Sequence, residues 1–135
     1  METNKVIIFT DGGARGNPGP AAIGVLVGEK QFGKYIGETT NNVAEYSAAI
    51  FALEKTMELY KNYSELSILI NTDSELMYKQ NIGEYRVKDP GLRVLYAELQ
   101  DLVKRFGKVE FKHVRREYNK LADKIVNQEL DRKMM

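Results

Sequence analysis

At 135 residues the chain has the length of one domain, and its 43% hydrophobic content suffices to bury a core without metal or disulfide staples. The absence of cysteine excludes a disulfide scaffold, a thiolate zinc site, an iron–sulfur cluster and a cysteine nucleophile; the single histidine, His113, excludes a histidine metal cluster and argues against a Ser–His–Asp triad. Twenty basic and nineteen acidic residues leave a formal charge of +1, so a nucleic-acid partner has to be argued from where the charges lie rather than from their total.

The opening stretch METNKVIIFTDGG is interrupted by Asp11 before any apolar run reaches signal-peptide length, and no segment approaches the roughly 18 apolar residues of a membrane span. The expectation is a cytoplasmic, monomeric protein without a membrane partner, folded as one domain over residues 1–135. Residues 5–10 (KVIIFT) read as a buried strand. Residues 12–20, rich in glycine and carrying Pro18 and Pro20, read as a loop that cannot sustain a ladder. Residues 22–28 and 31–38 read as antiparallel strands joined by a turn near residues 28–30. From Asn42 the period changes: Val43, Tyr46, Ile50, Leu53, Met57 and Tyr60 recur every three or four residues, the stripe of an amphipathic helix. Residues 66–72 (LSILINT) form another buried strand, followed by a short helix from Ser74. Leu92, Leu95, Leu99 and Leu102 mark a helix within residues 90–106, with Gly107 as its C-terminal cap. Residues 109–114 read as a fifth strand and residues 120–134 as a last helix. The order βββαβααβα describes an α/β protein, a mixed five-stranded sheet flanked by helices.

Four acidic residues depart from the habit of carboxylates to stand apart from apolar runs. Asp11 ends the run VIIFT just before the glycine stretch, and Asp73 ends LSILINT in the same way. Acids at the C-terminal edge of buried strands face the side where such sheets commonly place ligand sites, although each alone also fits a helix N-cap or an Asx turn. At about 100° per residue, Glu45 falls neither on the core stripe of its helix nor on the solvent side that holds Ser47, Glu54, Lys55 and Glu58. It shares a third face with Ala49, Ala52 and Thr56, small residues that allow close approach of another element, which favours a held, inward carboxylate over dipole complementation. Asp123 lies in the first turn of the last helix, bordering the stripe of Leu121, Ile125 and Val126, where dipole complementation is the plain alternative. Converging carboxylates repel strongly without cations. A hard divalent metal resolves this: magnesium or manganese fits an all-oxygen set, whereas zinc wants histidine or cysteine. Two such ions about 3.5–4 Å apart can activate water and stabilise the leaving oxygen in phosphodiester hydrolysis.

Four motifs, TDGGARGNPGPAAIG (residues 10–24), TTNNVAEYSAAIFAL (39–53), TDSELM (72–77) and NKLADKIVN (119–127), follow in that order and span nearly the whole chain. Together they resemble ribonuclease H type 1 in its compact form, without the basic handle region. The resemblance implies the ribonuclease H-like fold and an endonuclease that hydrolyses the RNA strand of RNA/DNA hybrids, leaving 5′-phosphate products. It implies Mg2+, with Mn2+ as a substitute, and two ions when substrate is bound. Carried over motif by motif, the metal-binding acids are Asp11, Glu45, Asp73 and Asp123. Substrate contacts come from Gly12, Asn17, Thr40, Asn41 and Asn42, with Thr40 on a phosphate of the DNA strand and Lys30 where an arginine assists it. Asparagine side chains and glycine-loop N–H groups can reach 2′-hydroxyls, which distinguish RNA from DNA. Double-stranded RNA, cut by some compact relatives, is a second candidate substrate.

Two departures bear on mechanism and binding. Many members carry a glycine-flanked histidine before the last acid; here the segment is FKHVRREYNKLAD (residues 111–123). A gapless alignment makes His113 the counterpart, but the alternation of residues 111–114 reads as a strand that fixes it in the sheet. Shorter members match Arg116 instead, and Arg116 is favoured. A histidine moves protons near neutral pH, whereas an arginine only stabilises charge or positions substrate. Residues 81–93 (NIGEYRVKDPGLR) replace the handle with little net charge and no tryptophan, which implies weaker, more salt-sensitive hybrid binding. A compensating surface is offered by residues 104–124, with eight basic residues against three acidic ones, +5 in a chain of total +1; Arg15 and Lys79 extend it.

Overall fold

A computed structural model describes residues 4–135; residues 1–3, at the head of the stretch read for a leader, lie outside them. Five strands, β1 (Lys5–Ala14), β2 (Gly19–Val27), β3 (Lys30–Thr39), β4 (Ser67–Thr72) and β5 (Lys108–His113), and four α-helices, α1 (Asn41–Leu59), α2 (Glu75–Asn81), α3 (Pro90–Val103) and α4 (Lys120–Lys133), reproduce the expected order. Short 3₁₀ turns at Tyr63–Glu65 and Arg116–Tyr118 complete it. The strands lie side by side as β3-β2-β1-β4-β5. The first three form an antiparallel meander, and β4 and β5 run parallel to β1.

The middle of the sheet is covered on both faces. Alternation along β2 sends Ile23 and Val25 into the core under α1, while Ala22 and Gly24 face α4. A strand buried on both sides reads as a continuous apolar run, and all of β2 except Pro20 is buried. Helix α1 lies between the sheet and α3, so its buried surface is wider than one stripe: Ala44, Glu45, Ala48, Ala49, Ala52 and Thr56 are buried beside Tyr46, Ile50 and Leu53. The third face read from the sequence is therefore a packed face. Its N-terminus is capped by Thr40, whose hydroxyl accepts from Val43 N at 3.2 Å.

Two local expectations are corrected. Residues 12–14 and 19–20 are strand rather than loop. The β1–β2 ladder ends at Ala14 and Ala21, so Pro20 has no partner strand on that side to miss its N–H, and its carbonyl accepts from Arg15 N at 2.8 Å. Gly107 does not cap α3, which ends at Val103 with Lys104 as its cap. A Cβ at Gly107 would instead press on the backbone of Glu65 and Leu66, so the glycine serves close chain approach. Residues 82–89 join α2 to α3 as a short irregular stretch without a helix of their own.

Two glycines set how closely α4 lies on the sheet. A Cβ at Gly24 would fall 2.5 Å from the Ala122 carbonyl and 2.8 Å from Ile125 Cβ, and one at Gly33 would meet Ile125 and Glu129. Gly24→Val is expected to push α4 off β2 and cost about 1–3 kcal/mol, seen as a lower melting temperature and urea midpoint with an unchanged far-UV spectrum.

Candidate active site

The parallel register of β1 and β4 pairs Thr10 with Thr72, so Asp11 and Asp73, each one residue further on, arrive side by side at the same end of the sheet. Helix α1 supplies the third acid. It crosses β1 so closely that a Cβ on Gly12 would collide with the Ala44 carbonyl group and the Glu45 nitrogen. Only glycine fits there, and its N–H donates to Glu45 Oε1 at 3.2 Å. One carboxylate oxygen each from Asp11, Glu45 and Asp73 lies within 4.8 Å of the others. Asp11 is 6% and Glu45 9% exposed, while Asp73 is half-buried.

Burial and mutual repulsion govern the charge. Desolvation comes first in raising Asp11 to about 8, followed by the negative charges of Asp73 and Asp123 and a hydrogen bond with Asp123; the Gly12 N–H opposes them. Glu45 is pushed well above the usual carboxylate range, again by burial first and then by Asp11 and Asp73, against the pull of the Gly12 N–H and the Arg116 guanidinium. Asp123 stands outside the tight group of three but close enough to act on Asp11. It lines, with Asp11, Gly12, Asn41 and Arg116, a cavity of about 170 Å³.

The substrate residues inferred from the motifs form a cross-braced rim. Ala14 N donates to Asn41 Oδ1 at 2.8 Å, and Asn41 N donates to Asn17 Oδ1 at 3.0 Å. Asn17, Asn41 and Asn42 are exposed, and Thr40 caps the helix that begins at this rim. Lys30 does not belong here: it pairs with Val27 at the turn end of β3, whereas Thr39 at the other end leads into the rim. His113 is abreast of Thr72 but stacks on Tyr78, ring centroids 5.7 Å apart, and borders a different groove with Phe9, Lys112 and Tyr118. Arg116, carried by the 3₁₀ turn after β5, is the one that reaches the acids' cavity.

All eight basic side chains of residues 104–124 are exposed, but strand direction divides them. Lys108 opens β5 beside Ser67, at the far end of the sheet from Asp73, whereas Arg115, Arg116, Lys120 and Lys124 follow its C-terminal end. Arg15 is tied to Asp131 at 2.7 Å and Lys79 to Glu84 at 2.9 Å, so both are already paired. One residue that the sequence reading left without a role is Asn119: it is 2% exposed, and its side chain bonds to Thr10 O and Asp73 Oδ2. An asparagine preceding a helix reads as a cap, which conceals such a role.

The fold and this pocket define an α/β protein whose strand-end carboxylates can hold a metal ion. A family model described as reverse transcriptase-like matches residues 9–129. Ribonuclease H of Clostridium botulinum is 34% identical over 144 residues, covering 94% of this chain and 96% of that protein. A bifunctional protein of Mycobacterium tuberculosis is 37% identical over 134 residues, 94% of this chain; the chain spans only 36% of that relative's length. The solved structure of LC11-RNase H1 in complex with RNA/DNA hybrid superposes with a TM-score of 0.92 at 40% identity, covering 96% of this chain and 99% of that one. The chain belongs to the ribonuclease H family.

The raised Asp11 has a thermodynamic consequence. Its unfolded form ionises near 3.8 and its folded form near 8; between these the folded state holds the extra proton, so stability falls as pH rises across that window. In metal-free buffer the melting temperature is expected to drop from this group between pH 4 and 8. Asp11→Asn should flatten the profile and raise stability at pH 8 by on the order of a few kcal/mol. A lower melting temperature for the variant at pH 8 would contradict a repelling cluster.

Proposed function

We propose that the protein is a divalent-metal-dependent endonuclease that hydrolyses the RNA strand of RNA/DNA hybrids, leaving 5′-phosphate ends, and that one cytoplasmic, monomeric domain suffices for it. The observation that carries this reading is the convergence of Asp11, Glu45 and Asp73 within 4.8 Å behind an asparagine-lined rim, in a chain that superposes over nearly its whole length on a hybrid-bound ribonuclease H1.

The donor set fits the metal. It is all carboxylate oxygen, and the elevated Asp11 and Glu45 mark a cluster whose ionised form needs a cation. The ligands would be Asp11, Glu45 and Asp73, with Asp123 at the border. Magnesium, or manganese in its place, would supply activation of water and stabilisation of the 3′-oxygen leaving group, two ions sharing these ends when substrate is bound. The chain's own residues do the rest. Gly12 brings backbone close to the scissile region. Asn17, Asn41 and Asn42 offer side-chain amides able to bond to the 2′-hydroxyls that separate RNA from DNA. Thr40 presents its hydroxyl near a DNA-strand phosphate. Arg116 stabilises charge beside the acids and takes no part in proton transfer; His113, stacked on Tyr78, is left without a role at the reacting phosphate.

The test is cleavage of labelled RNA/DNA hybrid, duplex RNA, single-stranded RNA and duplex DNA, with and without magnesium. Hybrid should be cut only with metal, and Asp73→Asn should lose at least about a hundredfold in rate while remaining folded; near-native cleavage by that variant rejects the site. Cleavage of duplex RNA would widen the substrate class without moving the site. Hybrid binding without metal-dependent cleavage would instead make the chain a binding module.

Lys120 and Lys124 are exposed on the first turns of α4, the helix that brings Asp123 to the cavity. Replacing each with alanine is expected to weaken hybrid binding at every sequence tested and reduce the slope of log K against log salt by about 1. Lys108→Ala, at the far end of β5, should leave both unchanged.

A further inference from the structure

Asn119 occupies the position before α4 where an asparagine normally caps the helix, yet its side chain makes no capping bond. The amide is used elsewhere. Its Nδ2 donates to the Thr10 carbonyl at 2.9 Å and to Asp73 Oδ2 at 3.1 Å. Both partners are acceptors, so the NH2 end of the amide has to face them. The residue is 2% exposed, and its Oδ1 is buried without a partner. A buried amide oxygen left unpaired is costly; helix capping and solvation are both forgone at this position.

What the arrangement achieves is a three-way tie. Thr10 is the residue before Asp11 on β1, Asp73 follows β4, and Asn119 stands four residues before Asp123. One side chain therefore joins three of the segments that bring acids to the pocket. It also differentiates the two oxygens of Asp73, since Oδ2 is engaged and Oδ1 is left for other work. Resting on the function proposed above, we infer that Asn119 is a positioning residue: its amide orients the Asp73 carboxylate and locks the start of α4 to the end of β1. The acids then reach the metal in a fixed spacing, without Asn119 touching metal or substrate.

Outer partners of metal-binding carboxylates typically contribute about 10–100-fold in metal affinity or activity, which sets the size of the effect. In a magnesium titration of 15N-labelled protein without substrate, the backbone amides of Gly12 and Asp73 and the side-chain amide of Asn119 should shift together. In Asn119→Ala and Asn119→Leu, the latter filling the space without a donor, the magnesium concentration at half-saturation should rise about tenfold or more. The kcat on hybrid should fall alongside it, with KM for hybrid within about twofold of the parent. An Asn119 side-chain amide unmoved by magnesium overturns the inference, as does Asn119→Leu binding metal like the parent. A loss in KM alone also overturns it, because the residue would then serve the substrate. If one variant fails to fold, the other and the parent's side-chain resonance still decide. A parent that binds magnesium at these amides but cuts no hybrid rejects the hybrid-cleavage reading alone. A parent that cuts hybrid while the Asn119 readouts stay at parent values rejects the positioning role alone.

Discussion

Three carboxylates held within 4.8 Å at the edge of a buried sheet are the constraint around which the rest of this structure is arranged. Like charges at such range, partly withdrawn from water, work against folding, and the chain does not relax them by burying a cation among them. Arg116 acts on Glu45 but is itself exposed, so its charge is largely screened by solvent. The strain is absorbed instead by parts that are hard to move. The β1–β4 register sets Asp11 beside Asp73, the Gly12 contact sets the depth of α1, and the packing of Ala49, Ala52 and Thr56 holds that helix down. Stability surrendered at one place and recovered in the surrounding core is the usual pattern of a functional site.

How much of this was legible in the sequence follows from which interactions are local. Strand alternation and the three-four spacing of α1 depend on one element at a time, and they place the nine regular elements of the described residues, with boundaries off by a few residues. Glu45 could be read as inward because its helical angle set it among small residues, a property of the helix alone. The glycine stretch was misread because the rule against proline in a ladder presumes a partner on both sides, and Pro20 has none toward β1. Gly24 and Gly107 serve close approach by segments far away in sequence, which no local pattern reveals. Asn119 was hidden for a similar reason. Its residue type satisfies the local rule for a helix start, so nothing in the string signals that its amide is committed to Thr10 and Asp73.

Direction along β5 changes the meaning of the charge. As a stretch of sequence, residues 104–124 carry one basic surplus; folded, they divide between the two ends of a strand parallel to β4. Only the latter part, from Arg115 onward, stands where a phosphate backbone near the acids could meet it. Linear charge counts therefore overstate the surface available to such a partner, and the pairing of Arg15 with Asp131 and Lys79 with Glu84 reduces it further.

For the hybrid-cleaving function proposed above, an acid pocket next to a modest basic rim has one more consequence. Without a cation, the elevated Asp11 and Glu45 tend to keep their protons, and once ionised the acids repel the same phosphates that the rim attracts, with the rim too exposed to cancel them at short range. A divalent ion reverses the sign of that contribution: it relieves the repulsion among Asp11, Glu45 and Asp73 and offers the phosphate a positive partner. Metal and nucleic acid then favour one another's binding, and by linkage the coupling is reciprocal. In a chain with no handle helix between α2 and α3 to grip substrate independently, that coupling bears a larger share of the affinity. For the proposed function, the spacing of the acid cluster, set by the β1–β4 register and the Gly12 contact, is therefore a condition of that coupling.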